Sequence, residues 1–224
     1  RWQGMNAAFR QGEEDGIVPE PSVEWLLYQA LAGVWPFDFN AENADELKAL
    51  EERFAAYVEK AIREAKLRTN WGDGNEPYES AVIGYARMML SPENRVFLND
   101  VSTSLQPFIK AGLSNSLSQT LIKLTAPGVP DIYQGSEGMD LSLVDPDNRR
   151  PPDFEALALQ LDQNGHRHPD IQLKQRLITT VLAMRKATPD LFGAGTYIPL
   201  TVVGQGAQHY VSFARVTPDD ALIT

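Results

Sequence analysis

The sequence predicts a mainly α fold with minor β structure. Apolar residues recur every three or four positions through much of residues 1–124, a Pro- and Gly-rich stretch breaks that rhythm at 126–135, and side chains alternate from Tyr197 onward. Spacing of three to four marks one buried helix face, and alternation marks a strand. A chain of 224 residues is long enough to bury a core without disulfides.

The elements follow in order. Trp2, Met5 and Phe9 are spaced as on a helix, and an acidic turn spans Gly12 to Pro21. Ser22 is a candidate cap for a helix carrying Val23, Leu26, Leu27, Ala30, Leu31 and Val34, and Trp35-Pro36 stops it. Asp45–Lys66 is the cleanest helix, with Leu47, Leu50, Phe54, Val58, Ala61 and Ala65 in one stripe and charges opposite. After a loop at 69–75, helices are expected at Tyr78–Leu90 and at Glu93–Leu105. Pro107 ends or kinks the second, and Ser116 caps another at Leu117–Leu124. Asp131-Ile132-Tyr133 reads as a short buried strand, followed by a polar loop from Gly135 to Pro152 and a short helix near Asp153–Asp162. Asp170–Lys186 is amphipathic and is broken by Gly193 and Gly195. Tyr197–Val203 and Tyr210–Arg215 alternate as strands. One strand cannot satisfy its own backbone, so Ile132 implies partner strands elsewhere. The start at Arg1-Trp2-Gln3 and the end within an apolar run, Ala221–Thr224, read as cut ends of a longer protein.

Charge and composition exclude several functions. The net charge is −10, with 20 basic and 30 acidic residues, which disfavours nucleic acid or an anionic membrane as partner. There is no Cys, so disulfides, thiol catalysis and Cys-bound zinc are excluded, and three His make a His metal centre improbable on numbers alone. No run approaches the ~20 apolar residues of a membrane helix, and no signal pattern opens the chain. A thiol-free chain with no signal suits the cytoplasm.

The most informative stretches are Pro130-Asp131-Ile132-Tyr133-Gln134-Gly135 and Asp145-Pro146-Asp147-Asn148-Arg149-Arg150-Pro151. They resemble the end of the catalytic barrel in the α-amylase superfamily of glycoside hydrolases, and within it most closely the maltooligosyltrehalose synthase family. Trp25–Pro36, Lys60–Lys66 with Thr69–Trp71 and Tyr78-Glu79, and Pro127–Gly135 carry the closer match, which covers nearly the whole chain. The resemblance implies part of a (β/α)8 barrel enzyme. Residues 1–112 would be a helical insertion, 113–190 the end of the barrel with its eighth strand at Ile132, and 191–224 the start of a C-terminal β-domain.

Such enzymes isomerise the reducing-end α-1,4 bond of a maltooligosaccharide to the α,α-1,1 bond of trehalose, without a cofactor. The retaining chemistry uses a carboxylate nucleophile and a carboxylic acid ~5–5.5 Å apart. The superfamily's seventh-strand motif is a His-Asp pair. Here His166, His168 and His209 precede Arg, Pro and Tyr, so the resemblance carries no catalytic residue onto this chain. The chain alone is therefore expected to be inactive. Residues beyond a barrel strand's C-terminal end line the site, which makes Tyr133, Gln134, Glu137, Asp145, Asp147, Asn148 and Arg149 the expected substrate contacts.

Other readings of the residues stay open. Asp131 after Pro130 can simply fix the chain's entry, and Glu137 can pair with Arg149 or Arg150. Asp145–Arg150 is a turn sequence in any protein. Trp71 is a sugar platform or a lid on a helix, and Lys60, Arg63 and Lys66 are ion-pairing or solvated. Trp25 and Trp35 belong to core or interface, and His166 and His168 to a loop. The cluster Asp131, Glu137, Asp140, Asp145 and Asp147 could itself hold a glycosidase pair. The runner-up identities are another glucan hydrolase or glucosyltransferase of the superfamily, or a non-catalytic helical module that binds a glucan or a partner. Surfaces left by a cut barrel would favour self-association.

Overall fold

The computed structural model describes residues 1–13, 16–162 and 169–224. Its described part is mainly helical with two small sheets. Glu14 and Asp15 of the acidic turn, and His166 and His168, lie outside the described residues. The chain forms two compact units. The first holds Arg1–Ile109 and Leu141–Pro151, the second Lys110–Asp140 and Pro152–Thr224.

The first unit opens with α1 (Trp2–Met5) and a 3-10 turn at Ala7–Phe9. A small antiparallel ladder follows, β1 (Gln11–Glu13) with β2 (Gly16–Val18), where the spacing pointed only to a turn. Strands of three residues are too short for alternation to show. α2 (Pro21–Val34) begins with Pro at its first position, so Ser22 lies inside the helix and makes no cap. Trp35 ends it in extended conformation, as its pairing with Pro36 demands.

α3 (Ala44–Ala65) is capped by Asn43, whose side-chain oxygen accepts the N–H groups of Asp45 and Glu46. It buries Leu47, Leu50, Phe54, Val58 and Ile62. Ile62 takes the place expected for Ala61 and Ala65, because it offers more apolar area on the same face. α4 (Glu76–Met89) buries Tyr78, Val82, Tyr85 and Met89. These faces meet Leu27 and Leu31 of α2 and Phe97, Leu98 and Val101 in one core.

Within that core sits a charge. Glu24 is 1% exposed. It accepts from the Tyr28 hydroxyl at 2.9 Å, from the Tyr85 hydroxyl, and from Arg10 Nη2 at 2.7 Å. A buried carboxylate is tolerated only when so partnered. Burial first, and then the hydrogen bond to Glu24, hold the Tyr85 hydroxyl far above its ordinary pKa, so it remains a donor at any working pH.

α5 (Arg95–Thr125) is one helix where two were expected. Pro107 lies inside it and Ser116 caps nothing. Losing one backbone bond at a proline costs about 3 kcal/mol. Burial of Phe97, Leu98, Val101 and Leu105 before it, and of Leu113 and Leu124 after it, offsets that cost.

The second unit takes up α5 at Lys110 and adds α6 (Phe154–Asp162), α7 (Pro169–Ala187) and α8 (Pro189–Gly193). Pro189 opens a new short helix, so the break after α7 comes before Gly193. β3 (Thr196–Pro199), β4 (Phe213–Val216) and β5 (Ala221–Ile223) form an antiparallel sheet in that order. The alternation expected over Tyr210–Arg215 is not realised, because Phe213, Ala214 and Arg215 are all buried. Leu124, Ile178, Val181, Leu191 and Phe192 make this unit's core.

Asp131-Ile132-Tyr133 is not a strand in this structure. Ile132 packs against the second core, but no strand among the described residues pairs with it, and without a ladder an extended segment remains a loop.

Arg215 holds the second unit together. It is 2% exposed, and no carboxylate pairs with it among the described residues. Its guanidinium donates instead to the carbonyls of Gly195 at 3.0 Å, Phe192 at 2.9 Å and Thr125 at 3.4 Å. Thr125 and Phe192 lie at or next to the ends of α5 and α8, where carbonyls lack helical partners and the dipole favours a cation. Arg185 does the same work for the Leu124 carbonyl at 2.7 Å.

Candidate functional site

The expected site residues fall in both units. Asp145, Asp147, Asn148 and Arg149 belong to the first, and Tyr133, Gln134 and Glu137 to the second. Each group is described within its own unit.

In the first unit, α3 holds the loop 141–151. Arg53 and Lys60 are seven residues apart, two helical turns, and so share one side of α3. Arg53 grips Asp147 with both prongs, Nε to Oδ1 and Nη2 to Oδ2 at 2.9 Å each, and reaches the Leu141 carbonyl at 3.0 Å. The Leu143 N–H adds a bond to Asp147 Oδ2 at 2.8 Å, and Arg150 an ion pair to Oδ1 at 2.8 Å. Burial pushes the Asp147 carboxyl up, but the Arg53 and Leu143 bonds and the two guanidinium charges outweigh it and hold it below the carboxylate range. Asp145 Oδ2 accepts from Lys60 Nζ at 2.8 Å and from Arg149 Nη2 at 2.6 Å. The Lys60 bond comes first among the causes that lower the Asp145 carboxyl.

This changes the reading of two expected contacts. Asp147 is buried and both its oxygens accept hydrogen bonds, so it fastens the loop. Asp145 is half-buried between two cations. Both carboxyls are held below their ordinary range, which bars them from the general-acid role of a glycosidase pair. Asn148 and Arg149 remain exposed on the held loop. Within this unit Arg149 pairs with Asp145 and Arg150 with Asp147.

Arg53 was not singled out from sequence. The available signal was its seven-residue spacing from Lys60 on an acidic helix, but the partner lies 94 positions away.

The helical end of this unit has its own network. Arg63 grips Glu79 at 3.0 and 2.6 Å and pairs with Glu59 at 2.7 Å. The Thr69 hydroxyl also donates to Glu79. The Arg63 bond, then that of Thr69, keeps the Glu79 carboxyl below its ordinary range. Lys60 and Arg63 are therefore ion-pairing residues. Trp35 is core, whereas Trp25 is exposed.

In the second unit, Tyr133 and Gln134 are exposed and Asp131 is exposed. Gly135 has φ +84°, and a Cβ there would lie 3.1 Å from Pro152 Cβ, so only glycine suits this turn. Glu137 Oε2 is buried with no hydrogen-bond partner. Nearby, a polar pocket of about 230 Å³ is lined by Ser116, Thr120, Lys123, Ile132, Ser136 and Lys174, among others. Lys174 donates to the Gly138 carbonyl at 2.9 Å. Burial first, and the Lys123 charge second, pull its ammonium below the usual lysine pKa. A pocket lined by hydroxyls, the Gln119 amide and two ammonium groups is suited to a polyhydroxylic ligand.

No family model matches the chain. Over 214 residues, 95% of its length, it is 36% identical to proteins of two Mycobacterium tuberculosis strains assigned as maltooligosyl trehalose synthases. The chain is a homologue of maltooligosyltrehalose synthase over nearly its whole length. Solved structures agree. One maltooligosyl trehalose synthase crystal structure covers 96% of this chain with a TM-score of 0.76 at 27% identity. The maltooligosyltrehalose synthase of Arthrobacter ramosus covers 96% with a TM-score of 0.74 at 31% identity. The chain spans 26% of the length of the curated maltooligosyl trehalose synthases and 28% and 27% of the two solved chains.

Proposed function

We propose that this chain is the C-terminal-central part of a maltooligosyltrehalose synthase, which turns the reducing-end α-1,4 bond of a maltooligosaccharide into the α,α-1,1 bond of trehalose by intramolecular transglucosylation. The observation that carries the reading is the 36% identity sustained over 95% of the chain. In this reading residues 1–112 are the helical insertion, 113–190 the end of the barrel and 191–224 the start of a β-domain. Asn148 and Arg149, on the loop held by Arg53 and Lys60, and Tyr133, Gln134 and Glu137 touch the sugar. Asp145 and Asp147 position the loop. The catalytic carboxylates are supplied by the rest of the enzyme, and this chain contributes binding and the exclusion of water that transglucosylation needs.

A cytoplasmic location goes with this reading. Among the described residues no helix is long and apolar enough to cross a membrane. Exposed Val129, Tyr133, Leu159 and Leu161 support self-association of the second unit.

Purified chain mixed with maltopentaose is expected to leave the count of reducing ends unchanged. A loss of reducing ends that Glu137→Gln removes would place the reacting pair within these residues. A gain would favour the hydrolase alternative.

A further inference from the structure

The loop between α3 and α4 carries an indole fixed in place and left open to solvent. Trp71 is 59% exposed. Its N–H donates to Glu64 Oε1 at 3.0 Å, and the Arg63 guanidinium lies over its ring, 4.8 Å from the centroid. Arg63 is itself pinned by Glu59 and Glu79. The loop is locked as well. Asn70 Oδ1 accepts the N–H groups of Gly72 and Asp73 at 2.9 Å each, and the buried Thr69 hydroxyl accepts the Asn75 N–H at 3.1 Å. A large apolar ring held this way loses little freedom on binding, which is what preorganisation gains in affinity.

The same loop lines an open pocket of about 530 Å³ with Arg68, Asp73, Asn75 and Glu76. These groups mix one cation, two anions and an amide, so they do not select a charged ligand. They do match a neutral ligand with many hydroxyls. A pyranose offers a C–H face to an aromatic ring and hydroxyls to planar polar forks.

We infer that Trp71 and the adjoining loop pocket form an accessory sugar-binding site that stacks one glucose unit of an α-glucan on the indole. The choice of an α-glucan over another neutral sugar rests on the proposed function. The site lies on the α3–α4 loop and uses none of the residues assigned to the sugar at 133–149.

The test is a titration of the 15N-labelled chain with maltopentaose, read at its four tryptophan indole N–H resonances. Trp71→Phe identifies the Trp71 signal by its loss. That signal is expected to shift saturably at millimolar maltopentaose and not with cellopentaose, and Trp71→Ala is expected to weaken binding at this site at least tenfold with an unchanged melting temperature. A Trp71 signal that stays still overturns the inference, whether or not other resonances move. An equal shift with cellopentaose overturns the α-glucan assignment. Either failure leaves the proposed function standing, since that is decided by reducing-end chemistry.

Discussion

Asp147→Ala is expected to destabilise the first unit by about 3 kcal/mol, because it leaves a half-buried guanidinium without its bidentate partner. Arg53 would keep only the Leu141 carbonyl, and the Leu143 N–H would lose its acceptor. The loss is read from denaturant unfolding of the two proteins. The pH dependence has a definite sign. The Asp147 carboxyl is held below its ordinary value in the folded protein. Its stabilisation is therefore complete above the unfolded value, about 3.9, and is lost as pH falls through the lower folded value. The gap in melting temperature between the natural protein and Asp147→Asn should stay constant from pH 8 to about 5 and narrow below about 4. A gap that narrows toward alkaline pH would contradict this account.

Arg215→Met is the second large effect. It keeps much of the apolar stem and removes the fork that satisfies three carbonyls at the core of the second unit. Buried acceptors without donors cost about 1–3 kcal/mol each, and the expected destabilisation is about 4 kcal/mol. Arg215→Lys should recover only part of it, since an ammonium cannot span the Gly195, Phe192 and Thr125 oxygens at once. Equal stability of the lysine variant and the natural protein would show that charge at the helix ends, not the fork, is what matters.

These two arginines mark the limit of what the sequence made legible. Helices α2, α3, α4, α6 and α7 were readable because each shows one apolar face in its own residues. α5 was read as two helices, since Pro107 and Ser116 are local stop and start signals that burial over both halves overrides. The β1–β2 ladder is too short to carry a pattern. Of the candidate site, the loop Asp145–Arg150 was visible as a motif, but its inward and outward residues were not. That sorting depends on Arg53, 94 positions from Asp147, and a pairing so distant has no signature in a single sequence. Glu137 is the converse case. The motif singled it out, and the structure leaves one of its oxygens buried and unpartnered, a feature composition cannot reveal.

The central claim is that this chain works as a segment of a maltooligosyltrehalose synthase. The direct measurement is a hybrid in which residues 1–224 replace the 36% identical segment of the Mycobacterium tuberculosis relative, assayed with maltopentaose once its cooperative melting is established. The account predicts loss of reducing ends without release of glucose or shorter reducing sugars. A folded hybrid that gains reducing ends, or that leaves them unchanged, would contradict it.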